Sequence, residues 1–172
     1  MDDPRLPTGI SIRAIRPDDV VPLERFYAAL SRDSLDARFH GGARGIADRA
    51  ARTFCGPDHV HREGLVAVLD HRHRELIVGH LCLEPIGAED LEMAVAVADA
   101  WQHHGIGLAL LSAAVEWARV HGFWRVHGTI RWSNPAILGL VRACGRPVRI
   151  ESDAEGDTEA VIDIVGDLAA AA

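Results

Sequence analysis

The residues of this chain best suited to binding chemistry lie in a short loop at positions 102–107, with the sequence QHHGIG, between a predicted strand and a predicted helix. The first turn of a helix leaves backbone N–H groups without partners and carries partial positive charge, so it can hold a phosphate or pyrophosphate. Glycine at positions 105 and 107 lets the backbone approach such an anion and adopt torsions that a Cβ would hinder. A turn with glycines and no ligand is the alternative, and spacing alone does not choose between them.

Other side chains that could do chemistry carry weaker signals. The pairs His59-x-His61 and His71-x-His73 have spacings that a metal site could use, but both lie in predicted turns and no third ligand type accompanies them. We therefore predict solvated histidines and no metal. Cys144 is interpreted as a buried structural thiol. The four tryptophans are interpreted as packing residues of the core or its rim: Trp101, Trp117, Trp124 and Trp132.

The elements around the loop follow from the spacing of apolar residues. Alternation predicts strands at residues 10–16, 65–70, 76–85, 91–99, 123–132, 148–152 and 158–165. Helical spacing and end signals predict helices at residues 20–30, 31–40 (broken at Gly41-Gly42), 43–55, 107–120 and 135–143. The second and third strands form a predicted hairpin, with Gly79 as a candidate bulge. Strands and helices alternate in the middle of the chain, which predicts an α+β or α/β fold with a mixed sheet.

Composition narrows the class of protein. The chain has 172 residues and is 48% hydrophobic, which suits one domain with a substantial core. Its net charge of −7 argues against nucleic acid or an anionic membrane as the main partner. The acidic, proline-bearing N-terminus differs from a signal or transit peptide. Three widely spaced cysteines fit a reducing compartment, so we expect a cytoplasmic location.

All 18 basic residues are arginine, and the chain contains no lysine. Alanine, glycine and valine are also abundant, so biased codon usage is the favoured cause. A second interpretation applies only if the chemistry concerns amines: an enzyme that modifies lysine would then have none of its own to modify.

Residues 91–145 resemble motif A of the GNAT N-acetyltransferases, whose acetyl-CoA loop reads Gln/Arg-x-x-Gly-x-Gly/Ala between the fourth strand and the third helix. The likeness continues downstream in Gly122, Asn134 and Gly145. Upstream, the stretch IRAIRPDD…LERFYAALSRDSLDARFHG resembles the opening of the Pat-type protein lysine acetyltransferases. The resemblance implies a mixed, largely antiparallel sheet of six to seven strands flanked by four to five helices. It also implies a single domain over residues 1–172, with loose termini at 1–9 and 167–172.

The resemblance further implies where acetyl-CoA would bind. Backbone N–H groups of residues 103–108 would receive the pyrophosphate, pantetheine would pair with the edge of strand 91–97, and that strand would splay from strand 123–131. Which parity of the edge faces the ligand stays open. The implied binding residues are Ala94, Val95, Ala96, Gln102, His103, His104, Gly105, Ile106, Gly107, Leu108, Asn134 and Arg142.

The chain departs from the family pattern at two places. His103 and His104 stand where the family has glycine and then a basic residue, which a cradle made of backbone amides tolerates. Val141 stands where many members have the tyrosine that protonates the departing thiolate, and Pat-type members resemble this chain in lacking it. The only tyrosine, Tyr27, lies on the first helix.

Glu92 matches the glutamate that Pat-type enzymes use as general base, ten residues before Gln102. An acceptor amine is protonated at neutral pH and cannot attack a thioester, so a base is required. The apolar neighbours Leu91, Met93 and Val95 predict a partly apolar setting for this carboxylate. A surface glutamate on a strand edge is the alternative, with Glu89 or Asp90 serving in its place.

The resemblance implies an acetyl-CoA-dependent N-acetyltransferase that transfers the acetyl group directly to a protein lysine ε-amine. The targets of Pat-type enzymes include acyl-CoA synthetases, which makes such a protein a candidate partner. Two alternatives stay open, namely an acetyltransferase for a small amine and a non-catalytic acyl-CoA sensor. A homodimer is a further open alternative.

Overall fold

The computed structural model describes residues 6–39, 51–72, 74–130, 135–152 and 158–165. The strands are β1 (Ile10–Ala14), β2 (Glu63–His71), β3 (Arg74–Pro85), β4 (Asp90–Val97), β5 (Arg125–Ile130), β6 (Val148–Ser152) and β7 (Thr158–Asp163). The helices are α1 (Val20–Ala29), α2 (Arg32–Phe39), α3 (Ile106–Val120) and α4 (Pro135–Arg142), with 3-10 turns at Pro17–Asp19 and Asp99–Trp101. Residues 51–54 are also helical.

The strands form one sheet in the order β1-β2-β3-β4-β5-β7-β6. Every neighbouring pair is antiparallel except β4 and β5, which are parallel. A parallel pair needs a long crossover connection, and α3 supplies it. The predicted fold, a mixed and largely antiparallel sheet with flanking helices, is therefore confirmed.

Each face of the sheet has its own hydrophobic core. On one face, α3 packs the side chains of Ile106, Leu110 and Leu111 against the strands. On the other, α1 buries Leu23 and Phe26 in a second cluster. The sheet is thus covered on both faces. A ligand can reach the middle strands β3 and β4 only through a gap between the covering helices.

A bulge lies in the β2–β3 hairpin, as predicted at Gly79. The register shifts between Ala67 and Val68, because Ala67 pairs with Gly79 and Val68 with Ile77. A Cβ at Gly79 would lie 3.0 Å from the Leu110 side chain and 3.2 Å from that of Ile106. Glycine here therefore lets α3 pack closely onto the sheet.

Several element ends differ from those predicted. The strand predicted at 10–16 ends at Ala14, since the turn that begins at Pro17 follows closely, and the strand predicted at 91–99 ends at Val97. Of the helix predicted at 43–55, residues 43–50 lie outside the described residues. Near the start of the described residues, Leu6 packs against the core and the Gly9 carbonyl accepts a hydrogen bond from the Asp70 N–H at 2.9 Å. In the described ranges, no helix is long and apolar enough to cross a membrane.

A buried imidazole lies between the sheet and α1. His80, on β3, is fully buried, and its Nδ1 is 2.7 Å from the hydroxyl oxygen of Tyr27. Its Nε2 has no hydrogen-bond partner. Burial, with a smaller contribution from the charge of Arg38, lowers the pKa of His80 to about 3. The imidazole is therefore neutral in the folded protein.

This burial predicts a loss of stability in acid. The unfolded imidazole has a pKa near 6.5, so below that pH the unfolded chain binds a proton that the folded chain does not. Above pH 6.5 His80 causes no loss of stability. As the pH falls from 6.5 towards 3, we expect the free energy of unfolding to decrease by about 1.4 kcal/mol per pH unit because of His80. Urea unfolding at pH 7 and pH 5 measures this loss. His80→Gln should flatten the dependence and His71→Gln, at an exposed position, should not; equal slopes in all three proteins would contradict the prediction.

Candidate functional site

The parallel strands β4 and β5 separate soon after they begin. They pair only through Asp90–Glu92 and Arg125–His127, whereas β4 remains paired with β3 as far as Val97. Beyond Glu92 the β5-facing edge of β4 thus has no strand partner in the described residues, and Met93 and Val95 offer unpaired backbone N–H and C=O groups there. The separation has the form that the family resemblance implies.

Two cavities lie along this free edge. The larger, of about 300 Å³, adjoins the 102–107 loop. It is lined by Ser34, Ala37, Arg38, Val95, Ala96, Val97, Trp101, Gln102, His103, Gly105, Gly107, Leu108, Ile137, Gly139, Leu140 and Ala143. The smaller, of about 230 Å³, lies nearer the start of β4. It is lined by Ala37, Arg38, Phe54, Cys82, Glu84, Glu92, Met93, Ala94, Val95, Gly128, Thr129, Ile137 and Val141.

The 102–107 loop has the backbone of an anion-binding turn. Gly105 is the N-cap of α3 in the left-handed region, with φ +80°. The first hydrogen bond of the helix runs from the Ala109 N–H to the Gly105 carbonyl, so the N–H groups of residues 106–108 precede the helical ladder. His103 also has a positive φ of 62°. This conformation favours glycine, which gives a physical reason for the glycine that the family carries at this position.

Side chains hold the loop against its neighbours. The Gln102 Nε2 donates to the Val97 carbonyl at 3.2 Å and to the Ser34 Oγ at 3.1 Å, which links the loop to β4 and α2. Asp99 accepts hydrogen bonds from the Ser31 N–H at 2.8 Å and from the Ser31 and Ser34 hydroxyls at 2.6 and 2.8 Å. These hydrogen bonds lower the pKa of the Asp99 carboxyl. The start of α2 is thereby fixed over the end of β4.

Four residues of the predicted binding set do not line either cavity with a described side chain. The His104 Nδ1 lies 2.7 Å from the Gln102 carbonyl oxygen, so its N–H donates within the loop. Ile106 is buried in the core and can offer only its backbone N–H. Arg142 is exposed on α4 and lines neither cavity. Asn134 lies outside the described residues.

Glu92 lies at the mouth of the smaller cavity and is exposed. It pairs in register with Glu84 on β3 and His127 on β5. Successive residues of a strand point to opposite faces, so Glu92 and its sequence neighbours have different surroundings. The partly apolar setting comes instead from the cavity lining, which includes Phe54 and Ile137, while the carboxylate itself is exposed. Leu91 and Met93 pack in the core behind the strand, while the Glu92 carboxylate faces the cavity and solvent.

The carboxylates near Glu92 differ in how they are paired. Glu84 lies 3.7 Å from the Arg62 guanidinium. Asp90 accepts two hydrogen bonds from Arg125, at 2.6 and 2.8 Å. No cation is paired with Glu92 in the described part of the chain, which leaves its oxygens available to an incoming group.

Sequence reasoning missed several residues of the smaller cavity, above all Arg38, Cys82 and Glu84. A signal for Arg38 was available, because Ser34 and Arg38 are four residues apart in a predicted helix and so share a face. Both line the larger cavity. Cys82 and Glu84 alternate on a strand that covers the same face as Glu92, but only the pairing of β3 with β4 reveals this.

Val141, at the family's tyrosine position, is buried and lines the smaller cavity. Tyr27 is fully buried against His80, and burial raises the pKa of its hydroxyl far above the ordinary value. Tyr27 lines neither cavity. Among the described residues, no tyrosine is therefore placed to protonate a leaving thiolate.

The histidine pairs considered for metal binding have other contacts. His59 Nδ1 lies 2.7 Å from Glu63 Oε1, and His61 Nδ1 lies 3.2 Å from Asp58 Oδ2. His73 lies outside the described residues. Over the described ranges, no three or more histidine, cysteine or acidic side chains group as metal ligands.

Comparison with known proteins places this geometry in a family. The model of the acetyltransferase (GNAT) family matches residues 25–145. The solved GNAT domain of S. lividans PAT is 25% identical, with a TM-score of 0.78 over 88% of this chain and 89% of that one. No curated protein sequence matches the chain significantly.

Two further solved structures are similar in fold. Phosphinothricin acetyltransferase from Sinorhizobium meliloti, in complex with AcCoA, is 21% identical, with a TM-score of 0.70 over 91% of this chain and 89% of that one. Spermidine N-acetyltransferase from Vibrio cholerae, in complex with CoA and spermine, is 13% identical, with a TM-score of 0.68 over 90% and 95%. These proteins act on different amines, so fold similarity by itself does not select an acceptor.

Proposed function

Because this chain belongs to the GNAT family of acetyltransferases, which use acetyl-CoA, we propose that it transfers an acetyl group directly to a lysine ε-amine of another protein. The observation that carries the proposal is the free edge of β4. It runs from the cavity beside the 102–107 loop to the cavity that contains Glu92. The similarity to S. lividans PAT supports the choice of acceptor.

The residues of the larger cavity fit coenzyme A. The backbone N–H groups of residues 103–108 are suited to its pyrophosphate, because they lie at the N-terminus of α3 and Gly105 adopts a left-handed conformation there. Of the predicted edge residues, Ala94 and Ala96 are in hydrogen-bonded register with Cys82 and His80 of β3, so their backbone groups are already paired. Val95 directs its backbone N–H and C=O away from β3 and is suited to the amide groups of pantetheine. Bound in this way, acetyl-CoA supplies an activated acyl carbon at the far end of the cavity.

Glu92 is the proposed general base. A lysine amine with a pKa near 10.4 is almost fully protonated at neutral pH, and only its neutral form is nucleophilic. The unpaired Glu92 carboxylate, at the mouth of the smaller cavity, can accept the proton directly or through a water molecule. Glu84, directly across the β3–β4 pair, has Arg62 beside it, so Glu92 is the carboxylate of this cavity without a paired cation in the described residues.

The absence of lysine makes the activity straightforward to assign. The chain cannot acetylate its own lysines, so any acetyl-lysine must come from the added acceptor. Arginine does not substitute, since its guanidinium stays protonated and is a poor nucleophile. We therefore expect the intact mass of the chain to gain at most one acetyl group, at the N-terminal amine, on prolonged incubation with acetyl-CoA.

The test is to incubate the purified chain with acetyl-CoA and a panel of acceptors while thiol release is measured. An acyl-CoA synthetase is the first protein acceptor, and amino acids, polyamines and aminoglycosides are the small ones. Turnover with acetyl-lysine formed on the protein acceptor supports the proposal. Turnover with small amines alone would replace it by a small-molecule acetyltransferase, and binding without turnover by an acyl-CoA sensor.

A further inference from the structure

The two cavities meet at Arg38. Four described residues line both cavities, and Arg38 is the only charged one among them: Ala37, Arg38, Val95 and Ile137. If coenzyme A occupies the larger cavity and the amine enters the smaller, the thioester lies where the cavities join. The Arg38 guanidinium is therefore beside the bond that breaks.

The guanidinium is held firmly in this position. Its Nη2 donates to the Cys82 Sγ at 3.2 Å, and its central carbon lies 4.8 and 5.0 Å from the ring centres of Phe39 and Phe54. Cys82 pairs in register with Ala94 of β4. The charge is thus fixed over β4, on the face that also carries Glu92.

Among the described residues, Arg38 has no anionic partner. No carboxylate forms an ion pair with it in the part of the chain that the structure describes, and its Nε is buried without a hydrogen-bond partner. A half-buried cation without a counter-ion is costly unless a ligand supplies the negative charge. Acetyl transfer places negative charge first on the thioester oxygen and then on the departing sulfur, and the thiolate is the anion that remains once the amide has formed.

Resting on the proposed function, we propose that Arg38 is a further catalytic residue, whose guanidinium stabilises the thiolate of coenzyme A as it leaves. The neutral amine nitrogen forms a bond to the acyl carbon, and the carbon–sulfur bond breaks with its electron pair passing to sulfur. Glu92 has by then passed the first proton, taken from the ammonium group, to solvent, and it accepts the second proton that the nitrogen loses as the amide forms. Arg38 donates no proton and remains charged throughout, and solvent later protonates the thiolate.

This role explains how the chain works without a tyrosine acid. With Val141 at the tyrosine position and Tyr27 buried elsewhere, no acid among the described residues reaches the junction. A thiol ionises near pH 8.5, so an adjacent cation is enough to make it a good leaving group. Arg38 already acts in this sense on Cys82: burial raises the pKa of that thiol, and the Arg38 charge opposes the rise.

The direct test is the ionisation of bound coenzyme A, which needs no acceptor. The ultraviolet absorbance of the thiolate is followed against pH for the complex with CoA, with the complex with desulfo-CoA as the blank. In the wild-type protein we expect the bound thiol to titrate about one to three pH units below free CoA. Arg38→Gln should abolish this difference, and Arg38→Lys, which keeps a charge, should retain part of it.

Turnover provides the second measurement. For Arg38→Gln we expect kcat to fall about 10²-fold with the Kd for acetyl-CoA little changed. Arg32→Gln is the matched control, because Arg32 lies on the same helix, is exposed and is 3.8 Å from Asp36. Denaturation curves establish whether each variant is folded. If Arg38→Gln does not fold, Arg38→Lys is compared with the wild type in the same two measurements.

Failure of this proposal is distinct from failure of the proposed function. Identical thiol titrations in wild-type and Arg38→Gln complexes would overturn the role of Arg38 while acetyl transfer stands. If Arg38→Gln raises the KM for the acceptor but leaves the titration of the CoA thiol unchanged, the proposed role of Arg38 is also overturned. Arg38 would then bind a carboxylate of the acceptor. A lowered pKa of the bound CoA thiol in a protein that transfers no acetyl group would support the role of Arg38 and overturn the proposed transferase activity. Absence of CoA binding would overturn both proposals.

Discussion

Replacing Glu92 with glutamine should lower the rate of acetyl transfer by about 10²–10⁴-fold while the affinity for acetyl-CoA stays nearly unchanged. Glutamine keeps the shape of the side chain but cannot accept a proton from the amine. Because Glu92 is exposed at the cavity mouth, the substitution should not disturb the core. The loss should shrink as the pH rises, since more of the acceptor amine is then neutral. Steady-state kinetics between pH 7 and pH 9 and calorimetry with acetyl-CoA measure both effects.

Two variants serve as comparisons for Glu92→Gln. Glu84→Gln removes the carboxylate directly across the strand pair, which lines the same cavity. Glu151→Gln removes an exposed carboxylate on β6, away from both cavities, and should behave like the wild type. Near wild-type rates for Glu92→Gln at pH 7, with a large loss for Glu84→Gln, would transfer the role of base to Glu84.

Gly105→Val should weaken acetyl-CoA binding by about 10²-fold or more while the chain still folds. Gly105 has φ +80°, which a β-branched residue adopts only with strain of about 1–2 kcal/mol. The loop would then move out of the conformation that directs its N–H groups at the pyrophosphate. Isothermal calorimetry with acetyl-CoA measures the affinity, and thermal unfolding measures the cost to stability.

Gly122→Val is the matched control for backbone strain. Gly122 has φ +81° and lies just beyond the end of α3, where an added Cβ would meet no heavy atom within 4 Å apart from those of its chain neighbours. The variant should lose a similar amount of stability and keep its affinity for acetyl-CoA. If both variants bind acetyl-CoA as the wild type does, residues 103–108 do not form the cradle.

The sequence by itself determined the elements that depend on near neighbours. The 102–107 loop, the strand before it and the helix after it follow from apolar spacing and glycine positions, which act over a few residues. The bulge at Gly79 was accessible for the same reason. The predicted ends of the strands and helices were less accurate, because capping and turn contacts determine where an element ends.

Only the tertiary structure decided the surroundings of the reacting groups. Glu92 was expected in a partly apolar setting from its sequence neighbours, yet strand alternation and the packing of α3 bury Leu91 and Met93 in the core, and the apolar side chains around the carboxylate come from other elements of the cavity. The carboxylate is instead exposed beside Glu84, eight positions away along the chain.

Arg38 and Cys82 show the same limit more strongly. They are 44 residues apart, and their hydrogen bond exists because α2 is anchored to Asp99 and lies over β4. Local patterns specify a helix and a strand but not which face of one meets which residue of the other. That choice is made by long-range packing of both cores, and it is this packing that brings a cation, a carboxylate and a free strand edge to one place.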